Sequence, residues 1–304
     1  MTVDEIEFPS YEGTCTLRGR AYVPGGHDGP VPVVVASHGM GDSADRLVIV
    51  AEWLCRNGFG VVLYDHRNFG PSDGLPRGEF DPVTQCRDMQ MALTYAQSHP
   101  RFDADRVGLW GTSFSGGHVL ALAGYDDRVK AVVAQTPWIA GTVIAEQAIG
   151  KEGLASFRGM FHEERRRTLE GKRPSRLKQV LMPHDPPGTF ALVDTKEGYD
   201  YAINGPAGVP AQWENSFTAR SLEHAVEFDV RSYAERIAPP TLMILAGGDR
   251  MIPGDMARAF LEEVRATKSL VEIPGAEHHS LYVPGRGFEQ SMEAATRWFS
   301  EHLA

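Results

Sequence analysis

Cysteine is scarce in this sequence: Cys15, Cys55 and Cys86 are all there is, and no two stand at a short metal-ligand spacing. An odd, sparse set builds no disulfide framework and suits a reducing compartment, and thiols outside any motif are expected in the core. Basic charge is also short, with 30 Lys and Arg against 40 Asp and Glu and a net charge of −10. Nucleic acids and anionic membrane surfaces need clustered cations, so neither is expected as a partner. The single basic cluster, Arg165-Arg166-Arg167, follows Glu163-Glu164, the mixed pattern of a solvated helix face. No uninterrupted apolar run approaches membrane-spanning length. The acidic start, Met1-Thr2-Val3-Asp4-Glu5, lacks the apolar stretch of a secretory signal. These absences predict a cytoplasmic protein that does not enter a membrane.

What is present is a chain of 304 residues, 42% hydrophobic, enough for one large core. Alternating stretches at 6–8 and 14–23 around Tyr11-Glu12-Gly13 predict an antiparallel hairpin. Short apolar runs rich in β-branched residues recur at 31–37, 60–64, 107–110, 129–134, 241–245 and 269–273, as expected of strands buried on both faces. Helical segments at 44–57, 82–98, 115–124, 253–266 and 287–302 alternate with them. Alternation of this kind implies βαβ units and a mostly parallel sheet, an α/β fold. From 137 to 232 the rhythm stops: 141–170 reads as helix, and the rest is rich in Pro, Gly and aromatics with no strand alternation. A crossover needs far fewer residues, and long irregular stretches in compact domains usually serve function. The expected organisation is a core of 1–137 and 233–304, with 138–232 inserted as a lid over the active site.

The most informative segment runs from Val107 to Gly117, where an apolar strand enters Gly111-Thr112-Ser113-Phe114-Ser115-Gly116-Gly117 and then an apolar helix. A strand-to-helix turn this sharp strains its central residue and needs small neighbours two places away. In return it exposes the Ser113 hydroxyl above the sheet. The helix that follows aims backbone N–H groups and its positive end at developing negative charge. The usual G-x-S-x-G pattern has Gly where this chain has Ser115, so a glycine-serine turn without chemistry remains the plain alternative, and Ser115 a lesser nucleophile.

A serine hydroxyl needs a base, and the base needs a carboxylate to fix its tautomer; on such a turn the chain order is Ser, acid, His. Asp249, in Ala246-Gly247-Gly248-Asp249 after the late strand 241–245, is the expected acid, with Asp255 its rival inside the following helix. After the last strand, Ala276-Glu277-His278-His279 offers two bases, of which His278 is favoured over His279. His38, His66 and His118 come too early for this order. His38-Gly39-Met40-Gly41, after the first long apolar strand, has the look of a loop whose backbone N–H holds an oxyanion. The expected donors are the N–H groups of Met40 and Phe114. The run from Tyr64 to Gly74 suits a tightly hydrogen-bonded supporting turn.

Together HGMG, DHRNFGPSDG, GTSFSGGH, GGDRMIP and PGAEHHSLY resemble the α/β-hydrolase superfamily, in a branch near dienelactone-hydrolase and X-prolyl-dipeptidyl-peptidase-like proteins. Some members of that branch are polyketide acyl transferases of secondary metabolism. The resemblance covers 31–137 and 239–304 and implies an eight-stranded, mostly parallel sheet, no cofactor and no metal. It also implies Ser113, Asp249 and His278 as the catalytic residues. Hydrolysis of an ester or thioester of a small or medium acyl compound through an acyl-enzyme is the primary reading. Acyl transfer to an amine or alcohol is the second; peptide cleavage, carbon–carbon hydrolysis or a non-catalytic binding protein rank lower. Trp138, Phe161, Tyr199, Tyr201 and Trp213 are expected to line an apolar substrate pocket under the lid or to pack within it. The partner is then a small-molecule acyl substrate; a homodimer is compatible with the sequence and not specified by it.

Overall fold

The computed structural model describes residues 1–304. In chain order the elements are β1 (Thr2–Pro9), β2 (Thr16–Val23), β3 (Val31–Ser37), α1 (Val48–Arg56), β4 (Gly60–Tyr64), α2 (Pro82–Ser98), β5 (Phe102–Thr112), α3 (Phe114–Ala123) and β6 (Val129–Gln135). Then follow α4 (Gly141–Leu169), β7 (Arg176–Val180), β8 (Ala191–Val193), α5 (Lys196–Asn204), β9 (Ser216–Thr218) and α6 (Ala219–Glu227). The chain closes with β10 (Thr241–Ala246), α7 (Gly254–Glu263), β11 (Lys268–Ile273) and α8 (Arg286–His302).

Eight strands form one sheet in the order β1-β2-β4-β3-β5-β6-β10-β11. The first hairpin is antiparallel and joins β4 antiparallel; every other pairing is parallel. The central strands are buried on both faces because helices cover both. Met89 and Leu93 of α2, the apolar side of α3 and Phe260 of α7 pack on one side. Leu54 of α1 with Trp298 and Phe299 of α8 pack on the other. Loops leaving the C-terminal ends of β3, β5, β10 and β11 therefore emerge along one edge, where open parallel sheets gather reactive groups. No helix is long and apolar enough to cross a membrane.

Between β6 and β10 the chain makes an excursion whose ends meet. Ala140 and Asp229 form an isolated bridge, Gly141 N–H donates to Phe228 O, and Val230 N–H donates to Ile139 O. Within it, three short strands make a second sheet in the order β8-β7-β9, where no strand was expected. At five, three and three residues, with Arg176, Lys178 and Gln179 in β7, they are too short and too polar to show a period of two. The α4 helix is broken at Gly150, whose φ of 71° lies in the left-handed region open to glycine.

Candidate active site

Ser113 is the hinge between β5 and α3, with φ 55° and ψ −119°, a left-handed conformation that costs a non-glycine residue energy. The surroundings hold it there. Ser113 N–H donates to Gln135 O at 2.8 Å, and Ser113 O accepts from Gly116 and Trp138 at 2.9 Å each, latching the turn to the end of β6. A side chain on Gly111 would stand 2.2 Å from Ser115 O, so glycine is required two places before the serine. The Ser113 side chain stays partly open.

The imidazole of His278 faces Ser113 from a short helical turn after β11. Its Nε2 accepts from Ser113 Oγ at 3.2 Å, and its Nδ1–H donates to Asp249 Oδ2 at 2.6 Å. Those partners set the tautomer: the proton sits on Nδ1 and the lone pair on Nε2. Asp249 Oδ1 accepts the N–H groups of Met251 and Ile252 at 2.8 and 2.9 Å, which aims the other oxygen at the ring. Burial raises the Asp249 pKa, but the His278 bond and charge and the two backbone donors outweigh it, leaving the carboxylate below its ordinary range. The rival Asp255 sits in α7, exposed and paired with Arg258. His279 turns away from Ser113, stacks on Tyr201 and lies beside Glu197. Tyr282 O–H, not singled out in the sequence, stands 3.3 Å from His278 Nε2 and is fixed by Thr112 and Thr136.

Gly39 packs directly on the nucleophile: a side chain there would lie 3.2 Å from Ser113 Cβ. Met40 and Phe114 flank this contact, and the Met40 N–H has no partner among the loop and turn bonds of the backbone. The supporting turn after β4 is tightly bonded. Asp65 accepts Ala44 N–H at 2.9 Å, and Ser72 Oγ donates to Asp65 O at 2.6 Å.

Beneath the turn lies a polar cluster that the sequence did not reveal. Fully buried Ser115 donates to His38 O at 2.5 Å and lies 3.0 Å from His118 Nδ1, 3.0 Å from Ser37 Oγ and 3.1 Å from His66 Nε2. The three early histidines therefore gather around Ser115 rather than Ser113. Burial pushes His66 well below the ordinary histidine range and His118 down to about 3, so both are neutral. No group of three or more His, Cys, Asp or Glu side chains has the geometry to hold a metal ion.

The five aromatics expected at the pocket are dispersed. Trp138 lies edge-on to Phe114 and donates to Ala225 O. Phe161 is buried in the main core, and Tyr199 packs on a small cluster with Val180 and Val193. Tyr201 reaches Asp42, and Trp213 donates to Gly41 O at 3.2 Å. Beside Trp213 an open, polar cleft of about 220 Å³ runs along Asp42, Asp45, Phe69, Arg77 and Glu214; Ser113 is not among its lining residues. Its acids are already paired, Asp42 with Arg46, Asp45 with Arg20 and Glu214 with Arg176.

A family profile described as alpha/beta hydrolase fold matches residues 32–284. The quorum-quenching protein AidA of Acinetobacter baumannii is 31% identical over 225 residues, covering 73% of this chain and 71% of the relative. The thiohydrolase aneE of Aspergillus aculeatus is 29% identical over 314 residues, covering 100% and 94%. The polyketide transferase grgF of Penicillium sp is 28% identical over 279 residues, covering 90% and 88%. The solved structure of GrgF from Penicillium sp. sh18 shares the fold, with a TM-score of 0.82 over 100% of this chain and 99% of that one at 22% identity.

Proposed function

The chain belongs to the alpha/beta hydrolase fold family, and from that premise we propose that it cleaves a carboxylic ester or thioester of an acyl compound through an acyl-enzyme on Ser113. One observation carries the reading: Ser113 Oγ, on its strained turn, is 3.2 Å from a His278 nitrogen whose opposite nitrogen is 2.6 Å from Asp249. His278 Nε2 takes the Ser113 proton as Oγ attacks the acyl carbon. The carbonyl oxygen, now negative, accepts from the N–H groups of Met40 and Phe114. Collapse breaks the bond to the leaving alcohol or thiol, which carries away the proton from His278. Water then attacks the acyl-enzyme, gives its proton to His278, and releases the acid and the free serine. Asp249 keeps the ring oriented and stabilises its cationic form throughout. The excursion between β6 and β10 acts as a lid, packing against the loops that hold Met40 and His278.

Acyl transfer is the second reading, favoured by the similarity to a polyketide transferase alongside a thiohydrolase. It uses the same intermediate, released by an amine or alcohol in place of water. Intact mass spectrometry with p-nitrophenyl esters and acyl thioesters tests both. The hydrolase reading expects acyl adducts on wild type, none on Ser113→Ala, and decay of the adduct in water alone. Decay only on adding an amine or alcohol selects transfer, and adducts persisting in Ser113→Ala refute both.

A further inference from the structure

The turn that carries His278 spans His278–Leu281, and its N-terminal residue Glu277 supplies no side-chain cap. The cap comes from elsewhere. Glu197, in the first turn of α5, accepts the N–H groups of His279 and Ser280 on a single carboxylate oxygen, the latter at 3.1 Å. Hydrogen bonds from backbone N–H to a carboxylate are about twice as strong as neutral ones. Burial raises the Glu197 pKa, but its bonds and proximity to His279 outweigh this and hold it below the ordinary range, so it is ionised at neutral pH.

Four residues on, and so on the same face of α5, Tyr201 stacks on the His279 ring with centroids 4.7 Å apart. Its hydroxyl donates to Asp42 Oδ2 at 2.7 Å, two residues past Met40. Buried Arg46 completes the tie: it pairs with Asp42 at 2.9 Å and donates to the Tyr201 and Ala202 carbonyls at 2.7 Å each, the first of which also accepts the Gly205 N–H that closes α5.

We infer that α5 is the element that sets the base and the oxyanion loop relative to each other, with Glu197 and Tyr201 as positioning residues. One end of the helix grips the turn of His278 and the other grips the loop of Met40. A shift of α5 moves both halves of the site, while Ser113 is held separately by the backbone bonds that latch its turn to the end of β6. The inference rests on the serine-hydrolase reading above.

Steady-state kinetics on an activated ester test it. Misplacement by about 1 Å costs about 100-fold in rate, so Glu197→Ala is expected to lower kcat about 10- to 100-fold with KM within about threefold. Glu197→Gln keeps an acceptor oxygen and restores most of kcat. Tyr201→Phe keeps the stack on His279, loses the Asp42 bond, and lowers kcat in the same direction. Ser113→Ala is measured alongside. An inactive Ser113→Ala with Glu197→Ala at wild-type kcat leaves the serine reading standing and overturns the role of α5. So does a Glu197→Gln as impaired as Glu197→Ala with a matching loss of Tm, which marks a merely structural residue. Turnover retained by Ser113→Ala overturns the reading itself.

Discussion

The hydroxyl of Ser115 lies 2.5 Å from the carbonyl oxygen of His38, tying the turn that carries Ser113 to the loop that carries Met40. Where G-x-S-x-G turns place a glycine, this chain spends a serine on a buried hub. Removing the hydroxyl leaves His38 O and His118 Nδ1 short of a partner, while His66 Nε2 keeps Ser37, and an unsatisfied buried polar group costs about 1–3 kcal/mol. Ser115→Ala is therefore expected to lower unfolding free energy by about that amount, read from urea denaturation; an unchanged midpoint contradicts the hub.

The histidines below the turn make stability depend on pH. His66 and His118 titrate lower in the folded protein than in the unfolded chain, His118 at about 3, so at mildly acidic pH the unfolded state binds protons that the folded state does not. Stability is then complete above pH ~6.5 and falls as pH drops toward the folded values, by about 1.4 kcal/mol per pH unit for each such histidine. Urea melts between pH 7 and 5 check this, and His118→Asn is expected to give a shallower slope.

The approach of Gly111 to Ser115 O leaves no room for a methyl group. The obstacle is backbone in the same turn, which cannot move aside without moving Ser113. Gly111→Ala is expected to lose about 3 kcal/mol, seen as a fall in Tm, together with most of the activity.

Two aspartates follow β10, and only one faces the imidazole. Asp249→Asn removes the acceptor that selects the Nδ1–H tautomer and is expected to lower kcat by about 10⁴-fold. Asp255→Asn, at an exposed partner of Arg258, is expected to leave kcat within about twofold. Equal effects in an ester assay contradict the assignment of the acid.

Much of this architecture was legible because the signals are local. The central strands are continuous apolar runs, while β11, expected to be buried on both faces, is a mostly exposed strand at the sheet edge, and α2 carries Asp81 capping Val83 and Thr84 with Pro82 at its first position. The serine turn, the late aspartate and the final histidine pair follow from strand ends and chain order. What stayed hidden depends on distance along the chain. Ser115 meets Ser37 across 78 residues and Glu197 meets His279 across 82, and neither spacing has a period or motif to reveal it. The second sheet hid for the opposite reason: strands of three residues carry too little pattern. The excursion's aromatics were visible as residue types, but composition does not say which of them faces the core, the base loop or the cleft.

The most direct measurement is the site of covalent labelling. Wild-type protein treated with a fluorophosphonate at neutral pH and digested for peptide mass spectrometry should carry a single adduct on Ser113, formed far more slowly in His278→Ala than in His279→Ala. An adduct on Ser115 or another residue, or no adduct on protein that turns over an ester, contradicts the account.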